Sequence, residues 1–250
     1  MSTMAVSWTV FSVVFGGALL GMVLRAVLPE HHQNQESKDV VKLGMGLIGT
    51  MSALVLGLLI ASAKNSFDTQ RNGLAQLSAN LTLLDRILAH YGPDAKECRE
   101  QLKENVARLI DHLWPENRDV AGRIEPTNAS ESLYEQIQSL SPKNDGQRSL
   151  QAAALKSAVD VAQARWLLAA QKGSSVPIPF LMILVFWLVL LFASFSMFAR
   201  PNLTVVVSLL LCALSVAAAI FLILELDRPF SGLIQLSSDP LHRVLAQLGR

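Results

Sequence analysis

Charge is scarce in this sequence, and so is cysteine. Asp, Glu, Lys and Arg make up 16% of its 250 residues, against roughly 25% in an ordinary soluble domain. The 21 basic and 20 acidic residues leave a net charge of +1, so no basic footprint for nucleic acid is present. Two cysteines cannot build a disulfide framework. Cys98 lies in a polar helical stretch and Cys212 in an apolar run, settings that fit free thiols. The five histidines, His31, His32, His90, His112 and His242, include no i, i+4 pair and no Cys or Asp companions of the kind a metal site needs. Glu30-His31-His32 fits a solvated polar turn better than a metal site. A Gly-rich phosphate loop and a nucleophile elbow are also missing, so nothing points to catalysis, a metal or a cofactor. Strand-period alternation of useful length is absent too, which leaves an all-α fold.

Hydrophobic residues are abundant: they supply 51% of the chain, and mean hydropathy is +0.38. They gather in four nearly uncharged stretches of about 20 residues, the length a helix needs to cross ~30 Å of hydrocarbon. The stretches are Trp8–Leu28, Val40–Ala63, Pro177–Phe198 and Leu203–Leu224. The first lacks a basic leader and exceeds a signal-peptide core in length, so it is expected to be a retained span. Four spans predict a membrane-embedded protein with residues 1–63 and 177–226 forming the span pairs, 64–176 a helical insert between spans two and three, and 227–250 a C-terminal segment. Both termini and the insert then share one side of the bilayer. Two thirds of the Lys and Arg residues lie in the insert, which places that side in the cytoplasm by the positive-inside rule. Charge deep within the spans is missing apart from Arg25 near one end, which argues against a proton-coupled transporter.

No proline and no strong turn signal interrupts Val41–His90, with Gly73 the only soft point, so span two is expected to continue into the insert as one long helix. Leu74, Leu77, Leu81, Leu84 and Leu88 then form an apolar stripe. Tyr91, Gly92 and Pro93 read as a stop and restart, followed by a helix over Pro93–Trp114 with Leu102, Val106, Leu109 and Leu113 on one face. Pro115 ends that helix, and Arg118–Ser130 reads as a polar loop. Short Ser132–Leu140 and alanine-rich Gln147–Gln171 helices complete the insert, and Gly173–Pro179 hinges the chain back to the bilayer. The expected product is a small bundle.

Span two carries two neighbouring stripes at i, i+4 and i+8. Gly49, Ala53 and Gly57 form a small-residue face that lets another helix approach closely. Beside it run Thr50, Leu54 and Leu58. One reading is a span packed tightly on one side and facing lipid on the other. The second is a narrow apolar pore in an oligomer, a constriction that gates by dewetting. Lys64 and Arg71, further along the same helix, either raise the anion concentration at a pore mouth or are ordinary solvated cations at a span end.

The last span runs into FLILELDRPFSGLI, residues 221–234. Acids at a helix C-terminus oppose its dipole, so Glu225 and Asp227 are expected to face a compensating group: Arg228, or a basic residue or helix N-terminus of the insert. Pro229 ends the helix and Gly232 permits a turn. Leu233, Ile234 and Leu236 are expected to fold against the bundle, with Asp239 capping a short helix that begins at Pro240 and reaches Leu248. Residues Glu225, Asp227, Arg228, Pro229, Phe230, Gly232 and Asp239 thus read as a structural clasp.

Two segments carry a family resemblance. LVLGLLIASAKNSFDTQ, Leu54–Gln70, resembles the bestrophin pore helix, with a Leu-Gly pair in an apolar run and an aromatic and polar cluster about ten positions later. LELDRPFSGLIQLSSDPL, Leu224–Leu241, resembles the segment after the last bestrophin span, although Ser231 separates Phe230 from Gly232. The resemblance implies a bacterial bestrophin-like protein of the inner membrane: a homo-oligomer, a pentamer in that family, passing anions through a hydrophobic neck. Aligned on Leu56-Gly57, the family's neck positions fall on Thr50, Leu54 and Leu58. Animal bestrophins have aromatic residues at the neck where this chain has leucine, and their calcium-holding acidic cluster is reduced to Asp239, so no metal is implied. The rival function is a non-conducting scaffold or signalling protein whose insert helices bind a partner.

Overall fold

The computed structural model of the chain describes residues 2–27, 35–114, 129–171, 176–199 and 202–248. Among these residues there are eight α-helices and no strand: α1 Thr3–Val27, α2 Gln35–Tyr91, α3 Lys96–Leu113, α4 Ala129–Ser139, α5 Asp145–Ala170, α6 Ile178–Phe198, α7 Leu203–Leu226 and α8 Asp239–Gln247. Glu30-His31-His32, residues 118–128 of the expected polar loop and residues 173–175 of the expected hinge lie outside the described residues, whereas Ala129 and Ser130, expected to end that loop, open α4. Four helices are long and apolar enough to cross a membrane: α1, α2, α6 and α7. In hydrocarbon no water is available to backbone N–H and C=O groups, and a helix pairs them all within one segment.

The chain forms two compact units. One comprises Met1–Asn65 with Ser174–Asp227, the other Ser66–Gly173 with Arg228–Arg250. The C-terminal segment therefore belongs to the same unit as most of the insert, and α2 contributes its first part to one unit and its remainder to the other.

In the first unit α1 packs against both α6 and α7. Lipid is as apolar as leucine, so close van der Waals contact drives this association. Gly17 and Gly21 make it possible. A methyl group at Gly17 would lie 2.9 Å from Cγ1 and 3.3 Å from the carbonyl oxygen of Val189. At Gly21 it would overlap the carbonyl oxygen of Ala193 and the hydroxyl of Ser196. Close glycine packing is thus found on span one, although the sequence draws attention to span two; the Gly17-x-x-x-Gly21 pattern was there to be seen. Asn202 caps α7, its Oδ1 accepting from the Val205 N–H at 2.8 Å.

The second unit is held together by hydrophobic burial. Leu74, Leu77, Leu81, Leu84 and Leu88 of α2 are all buried, together with Leu102, Val106, Leu109 and Leu113 of α3 and Ala154, Val161, Ala164 and Leu168 of α5. Each buried leucine is worth about 1.5–3 kcal/mol over leaving it exposed. Gly73 is a point of close packing: a methyl there would meet Leu168 Cδ2 at 2.9 Å. α2 ends at Tyr91 because Gly92 adopts φ +114°, a conformation that suits glycine alone. The following prolyl segment begins as a 3₁₀ turn, Pro93–Ala95, before α3 proper starts at Lys96. Helix α5 starts two residues earlier than its leucine pattern predicts, because Asn144 Oδ1 accepts from the Gln147 N–H at 2.8 Å. The Gln147 carboxamide in turn accepts from the Lys143 N–H at 2.7 Å and donates to the Tyr91 carbonyl at 3.0 Å, which ties the α5 start to the α2 end. Arg99 grips Asp85 with two bonds, Nε to Oδ1 at 2.7 Å and Nη2 to Oδ2 at 3.1 Å. That hydrogen bond raises the Arg99 pKa further above its ordinary value.

Substitution Gly21→Val is expected to destabilise the span bundle by about 1–3 kcal/mol or more, the usual cost of overpacking. Gly16→Val is the control, since Gly16 has open space around it. The comparison is made by thermal melting in detergent, where only the Gly21 variant should melt early.

Candidate functional site

Helical periodicity divides the membrane part of α2 into three faces. Its inward face carries Met45, Ile48, Ser52, Leu56, Leu59 and Ala63, which pack into the first unit's core. A second face is left open: Leu43 is 78% exposed, Leu47 64%, Leu54 74% and Leu58 61%. Thr50 lies on this same open face. Its Oγ1 donates to the Leu47 carbonyl at 2.8 Å, so the hydroxyl is spent on its own helix and the stripe offers mainly hydrocarbon. The third face is the small-residue one. Gly49 sits at its edge, where a methyl would only graze Leu191 Cδ2 at 4.0 Å. Ala53 is exposed, and nothing lies within 4 Å of a methyl placed at Gly57. Within one chain, then, neither sequence-predicted stripe is covered. Sequence reasoning named three positions on the open stripe and missed Leu43 and Leu47, which lie one heptad before Thr50 and Leu54 on the same face. Lys64 and Arg71 are both exposed on α2, Lys64 in the part belonging to the first unit and Arg71 in the part belonging to the second.

Within a single chain α2 thus has one packed face and two open apolar ones. A family model described as the Bestrophin-like domain matches residues 11–241. The chain belongs to the bestrophin-like family. Crystal structures of a bacterial bestrophin homolog from Klebsiella pneumoniae share its fold. One single-substitution variant matches with a TM-score of 0.70 at 15% identity, covering 99% of this chain and 97% of that one. Another gives 0.68 at 15% identity with 96% of each chain covered. A further structure of the homolog gives 0.62 at 18% identity, covering 93% of this chain and 94% of that one. No curated protein matches the sequence.

In the bestrophin-like chain one of the acids at the end of α7, Glu225, makes a long-range contact. Glu225 is only 2% exposed, and its carboxylate accepts a hydrogen bond from Thr3 Oγ1, 222 positions earlier in the chain. Thr3 opens α1, so the acid at the unfavourable end of α7 meets the favourable, N-terminal end of its neighbour. Thr3 joins the compensating groups considered from the sequence, which were Arg228 and the insert and did not include α1. Asp227 closes α7 as its C-cap, and Arg228 is exposed.

Beyond α7 the remaining clasp residues fold within the second unit. Pro229 and Phe230 are buried. The Phe230 ring meets Trp114 edge-on, with centroids 5.6 Å apart at 71°. Gly232 N–H donates to the Arg228 carbonyl at 3.1 Å, and Leu236 N–H to the Pro229 carbonyl at 2.8 Å, closing the turn. Trp114 Nε1 donates to the Leu236 carbonyl at 2.9 Å. Two expectations need correction. Leu236 is buried, but Leu233 and Ile234 point outward, because the turn reverses the chain before they reach the bundle. Asp239 does not cap α8; it is the first helical residue, and its N–H goes to the Ser237 hydroxyl at 3.1 Å, while Ser238 precedes it in a helical conformation. The helix closes at Gln247, with Leu248 as its C-cap.

Other reactive groups are quiet. Burial pushes the Cys98 thiol up from its ordinary pKa, with Glu97 adding to the effect, and Tyr91 is likewise raised by burial. Both stay protonated near neutral pH. Among the described residues no group of three His, Cys, Asp or Glu could hold a metal ion. His31 and His32 lie outside them.

Thr3→Val keeps the branched shape while removing a donor from a buried carboxylate. A loss of about 1.5–3 kcal/mol is expected, the usual value for a hydrogen bond to a charged group, read as a lower melting temperature of the detergent-solubilised protein. Thr204→Val, at an exposed position in the first turn of α7, should leave it unchanged.

Proposed function

We propose that the protein is an oligomeric membrane channel that passes chloride-like anions along an axis lined by α2. The single observation that carries this reading is the uncovered leucine stripe of α2 lying beside an uncovered small-residue face on the same helix. In a ring of copies, the flank formed by Gly49, Ala53 and Gly57 is shaped to receive the bulkier flank of the next copy, a head-to-tail contact that closes when the rotation is right. Thr50, Leu54 and Leu58 then face the axis as a neck, extended by Leu43 and Leu47. Five copies is the number favoured by the family resemblance.

A neck of hydrocarbon resists wetting, so conduction through it depends sharply on its width. It supplies no charge of its own, and selection for anions then falls to the mouths. Lys64 and Arg71 are expected to concentrate anions at one of them. The distribution of Lys and Arg supports a cytoplasmic insert with both termini on that side, in the bacterial inner membrane. No chemistry of bond making is assigned to the protein, and no cofactor.

Two experiments test the reading. Purified protein in planar bilayers is expected to give unitary chloride currents whose size or open probability rises in Leu54→Ala and Leu58→Ala. Absence of current in wild type and in both variants would instead favour a scaffold. The assembly is tested by Gly57→Leu, which meets no atom within its own chain. Its protomer should melt as wild type does once dissociated, while native mass measurement should show loss of the oligomer.

A further inference from the structure

Arg25 is the only charged residue of α1 and stands in its last turn. From Thr3 to Arg25 the helix rises ~33 Å at about 1.5 Å per residue, a little more than the ~30 Å of a hydrocarbon core. Arg25 therefore stands at a membrane edge, the one away from Thr3. A methyl at Gly17 would meet Val189 and one at Gly21 would meet Ala193 and Ser196, so α1 and α6 run side by side in the same direction. One turn beyond Gly21, Arg25 comes level with the end of α6 at Phe198. The side chain is half-buried, and its Nη1 atom is out of reach of solvent and has no hydrogen-bond partner. Among the described residues no carboxylate pairs with Arg25, and it donates to none of the carbonyls that end α6. Snorkelling does not account for this, because a snorkelling arginine keeps its head in water. A guanidinium drawn out of water is costly until an anion or acceptor reaches it.

We propose that Arg25 is a binding site for a phosphate group, that of an anionic phospholipid seated at the paired ends of α1 and α6. Phosphate is the anion a bilayer offers at this depth, and the planar guanidinium fork matches its oxygens with two parallel N–H bonds. Free phosphate shares that chemistry, but the surroundings favour the lipid. Exposed apolar residues occupy the same helix ends, Leu20, Leu24 and Val27 on α1 and Phe195 on α6. They give acyl chains a surface to lie on, and a free phosphate would gain nothing from them. Apolar neighbours also keep the local dielectric low, which strengthens the attraction between guanidinium and phosphate. A lipid held here bridges the two spans just beyond their glycine contact. The inference rests on the four spans and not on conduction, so a non-conducting scaffold would keep the site.

The test supplies full-length protein in neutral detergent with phosphatidylglycerol, phosphatidylcholine or inorganic phosphate at constant ionic strength. Bound lipid is counted by native mass measurement and stability is followed by thermal melting. Wild type is expected to retain phosphatidylglycerol in preference to phosphatidylcholine and to melt higher as phosphatidylglycerol rises, with the logarithmic dependence of a single site. Arg25→Gln should bind it about tenfold more weakly or worse, the factor that follows from losing a hydrogen bond to a charged group. Arg25→Lys should keep part of the preference. Lys42→Gln removes the same charge from a position already paired with Asp39 at 3.6 Å, and should behave as wild type. Equal retention of the two lipids by wild type overturns the proposal, as does a preference that survives in Arg25→Gln. Stabilisation by inorganic phosphate alone that equals that of phosphatidylglycerol and is lost in Arg25→Gln overturns the lipid assignment in favour of a free anion. Should Arg25→Gln fail to fold, wild type decides through a phosphatidylglycerol with a photoreactive headgroup. Cross-links at the ends of α1 and α6 support the site, and cross-links confined to other segments reject it.

Discussion

The membrane unit depends on how closely α1 and α6 approach at Gly17 and Gly21. No room for a methyl group remains between Gly21 and the Ala193 carbonyl. Because lipid offers no hydrophobic reward for bringing two spans together, this contact must supply its own attraction through many close atom pairs. α1 also packs on α7 and receives the Glu225 carboxylate at its first turn. It acts as the post to which the other two spans are fixed. α2, by contrast, commits one face to this core and leaves two uncovered, and those two faces are what a multi-copy assembly would use.

The two units are stabilised by different physics. Leucine burial holds the insert helices, since removal of their apolar faces from water is directly favourable. Leu54 and Leu58, in the membrane part of α2, are exposed within a single chain, and against lipid such exposure would carry no penalty. One helix therefore spells a similar leucine pattern with two meanings. From Leu74 to Leu88 it marks a core, and at Leu43, Leu47, Leu54 and Leu58 it marks a face left open within the chain.

This difference explains what could be read from the sequence and what could not. The four spans, the all-helical fold and the stripe Leu74 to Leu88 were legible because each is a local pattern of hydropathy or period. The faces of α2 were legible as stripes, yet their roles depend on which neighbours cover them. The Thr3 contact of Glu225 was not legible, since Thr3 lies at the other end of the chain and no local rule links them. The outward Leu233 and Ile234 were missed because hydrophobicity alone does not tell which side of a turn a residue falls on. The first turn of α8 was misread because in Ser237-Ser238-Asp239-Pro240 three residues can cap, and the Ser237 hydroxyl takes the N–H of Asp239. The tight pair Gly17 and Gly21 was present as a pattern and was outweighed by the longer small-residue run on span two.

Most of the helix ends in the insert that have identified caps are closed by neutral amides. Gln147 holds the Tyr91 carbonyl at the end of α2, and Gln151 Nε2 donates to the carbonyls of Ile137 at 2.9 Å and Leu140 at 2.8 Å at the end of α4. Asn144 opens α5 in the same way. Dissolved ions screen attraction between charges but have little purchase on a bond between uncharged groups. These amide caps are in this sense blind to salt and to acidity. Sensitivity to either falls instead on ion pairs that stand beside them in the same unit, such as Asp94 with Lys143 and Asp85 with Arg99.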